Sequence, residues 1–187
     1  TQGDGNLGVK GKNFEMLFSI AGAGPASLKV NGTEWLWRAP RPAFWRASTD
    51  NDRGCGFPLR AAAWMAADVF VTYNGMKVLE AGPDCVKVQF QFGIPTVPGA
   101  SAELIYTVEA QGALRVDAVY HGVAGAPELP CFGVKFETFG PVTRTVWTGL
   151  SGETYPDRYK GGVFGCHEET PPCKHFFLPV HPTKKQP

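Results

Sequence analysis

A chain of 187 residues is long enough for one domain that buries ~70% of the surface its unfolded form would expose. Its 18 basic and 17 acidic side chains leave a net charge of +1 and are spread along the sequence, so it lacks the electrostatic footprint of a nucleic-acid or anionic-membrane binder. With 23 glycines, 16 prolines and 12% aromatic residues it reads as short apolar segments joined by turns, which disfavours a helical fold and points to an all-β one.

The start, TQGDGNLGVKGKN, lacks the apolar core of a signal peptide, and no apolar run approaches the ~20 residues of a membrane helix. The expectation is a cytoplasmic protein. Strands at 14–20 and 27–30 flank a turn at 22–25, and Asn31-Gly32 turns the second of them into a third at 33–37. Asn31-Gly32-Thr33 also fits a glycosylation sequon, the weaker reading without a signal peptide. PLRAAAWMAADVF, residues 58–70, sets Leu59, Ala62, Ala63 and Ala66 at helical spacing and predicts one short helix. Beyond it, Val86, Val88, Phe90 and Phe92 alternate with Lys87, Gln89 and Gln91. Leu104, Tyr106 and Val108 repeat the pattern, and Leu114, Val116, Ala118 and Tyr120 follow a turn at Gln111-Gly112, which makes an antiparallel meander. Phe132, Val134 and Phe136 alternate inward within LPCFGVKFE. From Gly161 on, glycine, proline and charge mix without a sustained period, so this end is expected to be irregular.

Cys55, Cys85, Cys131, Cys166 and Cys173 are an odd number at scattered spacings, which predicts reduced thiols. Asp50-Asn51-Asp52-Arg53-Gly54 opens like a calcium loop. That loop needs a bidentate glutamate at its twelfth position, where this chain has Ala61. Asp50-x-Asp52 also matches a glycosyltransferase metal pair, but no alternating strand and helix pattern surrounds it. Cys166-His167 and Cys173-x-His175 offer four zinc ligands at a spacing that matches no common template. Ser151-Gly152 lacks the flanks of a hydrolase elbow. Glu153 and Asp157, beside Tyr155 and Arg158 in GETYPDR, come nearest to the carboxylate pair that glycosidic cleavage requires. Pairing of Asp157 with Arg158 and of Asp50 with Arg46, as loop braces, accounts for the same residues. No metal, cofactor or catalytic residue is therefore expected.

PRPAFWRASTDNDRG, followed about a hundred residues later by LPCFGVKFE, VWTGL and GETYPDR, resembles the small-chain (C-terminal) domain of family 2 β-galactosidases. Phe44, Trp45, Arg46, Ala47, Thr49, Asp50, Asn51, Asp52 and Gly54 match the family's stretch, while Ser48 stands where the family has proline and forgoes its fixed φ. The likeness runs over roughly residues 7–168 and stops after Cys166-His167-Glu168-Glu169.

The resemblance implies an antiparallel β-sandwich of the galactose mutarotase-like supersandwich type over residues 1–168, lacking its second half, and an irregular tail over 169–187. It implies an accessory domain that meets galactosides through a catalytic large chain or domain. Arg46, Asp50, Asn51, Asp52, Arg53, Glu153, Tyr155, Asp157 and Arg158 would then be interface or sugar-proximal residues rather than catalytic ones. Strands left uncovered imply a homo-oligomer when the chain is alone. The alternative is a free-standing carbohydrate-binding or mutarotase-like domain, which would need His121 or His167 close to Glu153.

Overall fold

The computed structural model describes residues 3, 5–140, 143–151 and 162–170. Among them the period-two segments become β1 (Asn6–Lys10), β2 (Phe14–Ser19), β3 (Gly24–Val30), β4 (Thr33–Glu34) and β5 (Leu36–Ala43). Three short helices follow: α1 (Asp50–Gly54), α2 (Phe57–Arg60) and α3 (Ala62–Phe70). The remaining strands are β6 (Thr72–Ala81), β7 (Cys85–Gly93), β8 (Ser101–Glu109), β9 (Leu114–His121), β10 (Gly133–Thr138), β11 (Thr145–Ser151) and β12 (Val163–Glu169). Every pairing among them is antiparallel. The chain divides into two units, residues 1–46 with 60–139, and residues 47–59 with 140–187.

The first unit stacks the sheet β1-β2-β3-β4 on the sheet β6-β7-β8-β9, as the all-β sandwich reading requires. Val88 pairs with Tyr106, Phe90 with Leu104 and Phe92 with Ala102, so the alternating side chains of β7 and β8 fall on one face. That face is the core. Val88, Phe90, Ala102, Leu104 and Tyr106 are buried, and Phe18 from β2 closes on Phe90 at 6.1 Å and Tyr106 at 5.7 Å between ring centroids. Each large side chain so buried stabilises the fold by about 1.5–3 kcal/mol relative to exposure. Strand β9 lies at the sheet edge, so its face is only partly covered.

The turn residues follow backbone sterics. Asn31 and Gly32 both take positive φ, 50° and 79°, as the two-residue hairpin between β3 and β4 demands, and Val30 pairs with Thr33 across it. Gly112 adopts φ 94° between β8 and β9, where a Cβ would lie 2.9 Å from the Phe14 ring.

The helical region differs from expectation. Instead of one helix over 58–70, α2 and α3 are separated at Ala61, fully buried, with φ −99° and ψ 11° outside the helical region. A further helix, α1, occupies the expected loop at 50–54. The end expected to be irregular from Gly161 contains β12, which pairs with β11 from Thr145 opposite Glu169 to Ser151 opposite Val163. Phe136, expected to face inward, is 47% exposed because a bulge between Lys135 and Glu137 interrupts the pairing of β10 with β5. No helix among the described residues is long and apolar enough to cross a membrane.

Candidate functional site

The FWRASTDNDRG stretch leaves β5 and passes from the first unit into the second after Arg46. On the first side, Phe44 is fully buried, with ring centroids 5.7 Å from Trp64, 5.8 Å from Phe132 and 6.4 Å from Tyr120. Tyr120 in turn meets Trp64 at 5.8 Å and Phe132 at 5.7 Å, which closes a four-ring cluster. Hydrogen bonds fix its rim. The Phe44 N–H donates to Asp68 Oδ1 at 2.6 Å, Trp64 Nε1–H donates to the Pro127 carbonyl at 3.0 Å, and Arg46 Nε–H donates to the Pro130 carbonyl at 3.3 Å. Arg46 and α3 thus hold the segment between β9 and β10. Beside them, burial and then the Asp68 carboxylate push the Cys131 thiol above its ordinary range against the opposing pull of Arg46, which makes it a poor nucleophile.

On the second side the loop is wound into α1. Thr49 caps it: its Oγ1 accepts from the Asp52 N–H at 3.1 Å, and its own N–H donates to Asp52 Oδ2 at 2.8 Å, a reciprocal capping box. Asp50 and Asp52 fill the first turn, where the helix dipole favours anions, and Arg53 stands in the last. Arg53 Nη2 pairs with Asp50 Oδ1 and Arg53 Nη1 donates to the Ser48 carbonyl at 3.2 Å. Both charges are substantially exposed, so the pair contributes at most about 1 kcal/mol. The Asn51 carbonyl accepts from the Cys55 N–H at 3.0 Å.

Of the nine residues singled out in the sequence, Arg46 belongs to the first unit and Asp50, Asn51, Asp52 and Arg53 to the second. Glu153, Tyr155, Asp157 and Arg158 lie outside the described residues, as do Cys173 and His175. Among the described residues no group of three or more His, Cys, Asp or Glu is placed to hold a metal ion. His121 Nε2 lies 3.3 Å from Glu103 Oε1, whose other oxygen accepts from Gln89 Nε2 at 2.6 Å, on the sheet face opposite the core. His167 Nε2 sits 3.2 Å from the Gly149 carbonyl and 3.0 Å from that of Val163, against the Trp147 ring.

Asp68 and Trp64 are participants that sequence reasoning passed over. The signal was slight: Asp68 is the single charge in AAWMAADVF, but it is exposed, where water can satisfy a carboxylate as well as a backbone N–H can.

Fold and loop together describe a β-sandwich domain whose most distinctive polar sequence serves as bracing. The chain belongs to the β-galactosidase small chain family, whose model matches residues 10–181, past the point where the sequence likeness was expected to stop. It is similar to a β-galactosidase small subunit of Latilactobacillus sakei, 44% identical over 90% of this chain and 59% of that one. It is also similar to β-galactosidases of Clostridium acetobutylicum, 36% identical over 90% of this chain and 19% of that protein, and of Lactobacillus delbrueckii subsp. bulgaricus, 36% identical over 96% and 18%. The chain therefore spans about three fifths of the small subunit and less than a fifth of the two longer enzymes.

Proposed function

We propose that this chain is a non-catalytic small-chain portion of a family 2 β-galactosidase, with mutarotase-like sandwich topology, and serves hydrolysis of terminal β-D-galactosides only beside a catalytic large chain or domain. The observation that carries the reading is the 44% identity to a small subunit over nine tenths of this chain. The site supports it. Asp50, Asp52 and Arg53 spend their charges on capping and bracing α1, and Arg46 holds the Pro130 segment, so this stretch positions backbone rather than reacting atoms. In this reading Arg46, Asp50, Asn51, Asp52, Arg53, Glu153, Tyr155, Asp157 and Arg158 shape the surface turned toward the catalytic part. A free-standing carbohydrate-binding or mutarotase-like domain is not favoured, because the relatives are β-galactosidases and a small subunit.

The test is turnover of a chromogenic β-galactoside by the purified chain, alone and after mixing with a β-galactosidase large chain. The expected result is none alone and activity restored or raised in the mixture. Turnover by the chain alone, abolished by Glu153→Gln, would overturn the proposal.

A further inference from the structure

Of the large aromatic side chains of the first unit that stand in water, four lie on or beside the ribbon of β5 and β10. Trp35, Trp37, Phe136 and Phe139 are 52%, 59%, 47% and 51% exposed. Trp35 and Trp37 flank the buried Leu36, so strand alternation turns both to the same outer side. The Phe139 N–H donates to the Trp35 carbonyl at 3.3 Å, and the Phe139 ring meets Trp37 edge-on at 4.9 Å between centroids. Phe136 comes from β10, the strand paired with β5, on the side of Val134 and Thr138. The shared side of Trp35 and Trp37 and the contact of Trp37 with Phe139 group three of these rings on one two-stranded ribbon, unlike the scattered exposed leucines and valines of an ordinary surface. Tryptophan and phenylalanine are also the residues that anchor protein interfaces.

The ribbon's charges are one-sided. Arg38, Arg41 and Lys135 are exposed; among the described residues Glu137 answers them from the ribbon itself, 2.7 Å from Arg38 and 3.5 Å from Lys135, and Glu34 accepts from the Trp35 N–H beside it. Three cations against two anions leave an excess of one positive charge. A second copy of the same face would meet that excess with its own, and a neutral sugar would have no use for it. A protein surface with an apolar centre and an acidic rim would be drawn to it. The similar proteins have further polypeptide to act as a partner: one is a small subunit, and in the longer β-galactosidases more than four fifths of the polypeptide lies outside the matched region.

We propose that Trp35, Trp37 and Phe139, flanked by Arg38, Arg41 and Lys135, form the face by which this chain docks on the catalytic β-galactosidase chain. The proposal rests on the small-chain reading above.

The experiment measures binding of the whole chain to an immobilised β-galactosidase large chain from Latilactobacillus sakei, with sedimentation velocity of the chain alone as a second readout. Trp37→Ser combined with Phe139→Ser should weaken binding about tenfold or more, with far-UV dichroism and melting temperature preserved. Arg38→Glu with Lys135→Glu leaves the rings intact and serves if the serine variant fails to fold. It should slow association at low salt, and the difference should shrink as salt is raised. If the unaltered chain binds and both folded variants bind within about twofold of it, the docking face is refuted and the small-chain reading stands. No binding by the unaltered chain would refute both. Self-association abolished by the serine variant would assign the face to a second copy. Quenching of tryptophan fluorescence by lactose, lost in that variant, would assign it to sugar. Either result overturns the proposal.

Discussion

Replacing Phe44 by alanine tests whether the buried ring holds the first unit together where the chain leaves β5. The side chain is fully buried and touches three other rings, so the substitution loses its transfer free energy and opens a cavity among Trp64, Tyr120 and Phe132. Phenylalanine-to-alanine changes at such sites cost about 3–5 kcal/mol. Three ring pairs at about 0.5–1.5 kcal/mol each sum to a compatible figure, as one part of that total. For a chain of this size each kcal/mol lowers the melting temperature by about 2–4 °C, so a fall of roughly 6–20 °C is expected. Phe44→Leu keeps most of the volume and should cost less than about 1.5 kcal/mol. Urea titrations followed by near-UV dichroism, which reports aromatic packing, measure both variants. A loss below about 1 kcal/mol for alanine, or equal losses for alanine and leucine, would refute the cavity argument.

Arg46→Ala should cost about 1.5–3 kcal/mol in the same titrations, because an ionised donor to the Pro130 carbonyl is lost; an unchanged midpoint would show that the arginine braces nothing. Glu34 provides a pH test. Burial pushes its carboxyl up, but hydrogen bonds from the Ser27 hydroxyl and from the N–H groups of Leu28, Leu36 and Trp35 outweigh that and hold it below the ordinary glutamate range. A folded value below the unfolded one stabilises the protein fully above the ordinary pKa, about 4.3, and that contribution is lost as pH falls through the folded value. Glu34→Gln should therefore flatten the acid limb of stability between about pH 6 and pH 3, and parallel curves for the two proteins would contradict the assignment.

The meander β7-β8-β9 was legible in the sequence because one face of each strand meets a core, and burial forces polarity to alternate. The Asn31-Gly32 hairpin was legible because few residue pairs tolerate two positive φ angles. Helix α1 was not. Its capping box uses aspartate where the usual signature has glutamate or glutamine, and it buries no residue that would set a helical period. Strand β12 escaped for a related reason: one face, Phe164, Cys166 and Glu168, is exposed and the other, Gly165, His167 and Glu169, is only half-covered and polar, so no apolar alternation marks it. The Phe136 error came from one bulge, which period-two counting cannot anticipate. In the site, the sequence marked Asp50 and Arg46 as partners in a loop brace; the structure gives Asp50 the Arg53 guanidinium and sends Arg46 to the Pro130 carbonyl. The sequence did not mark Asp68, whose partner is a backbone N–H 24 residues away.

The pairing of β5 with β10 imposes a schedule on synthesis. Ala43 lies opposite Gly133, so the first strand of the pair leaves the ribosome 90 residues before its mate. At ~5–20 residues per second that is an interval of roughly 5–20 s, far longer than the microseconds in which a local hairpin such as β3-β4 closes. During it β5 shows bare backbone groups beside Trp35 and Trp37, the conditions under which nascent chains stick to one another. Pro40 and Pro42 lie in that strand and, having no N–H, remove two of the donors a wrong partner could use.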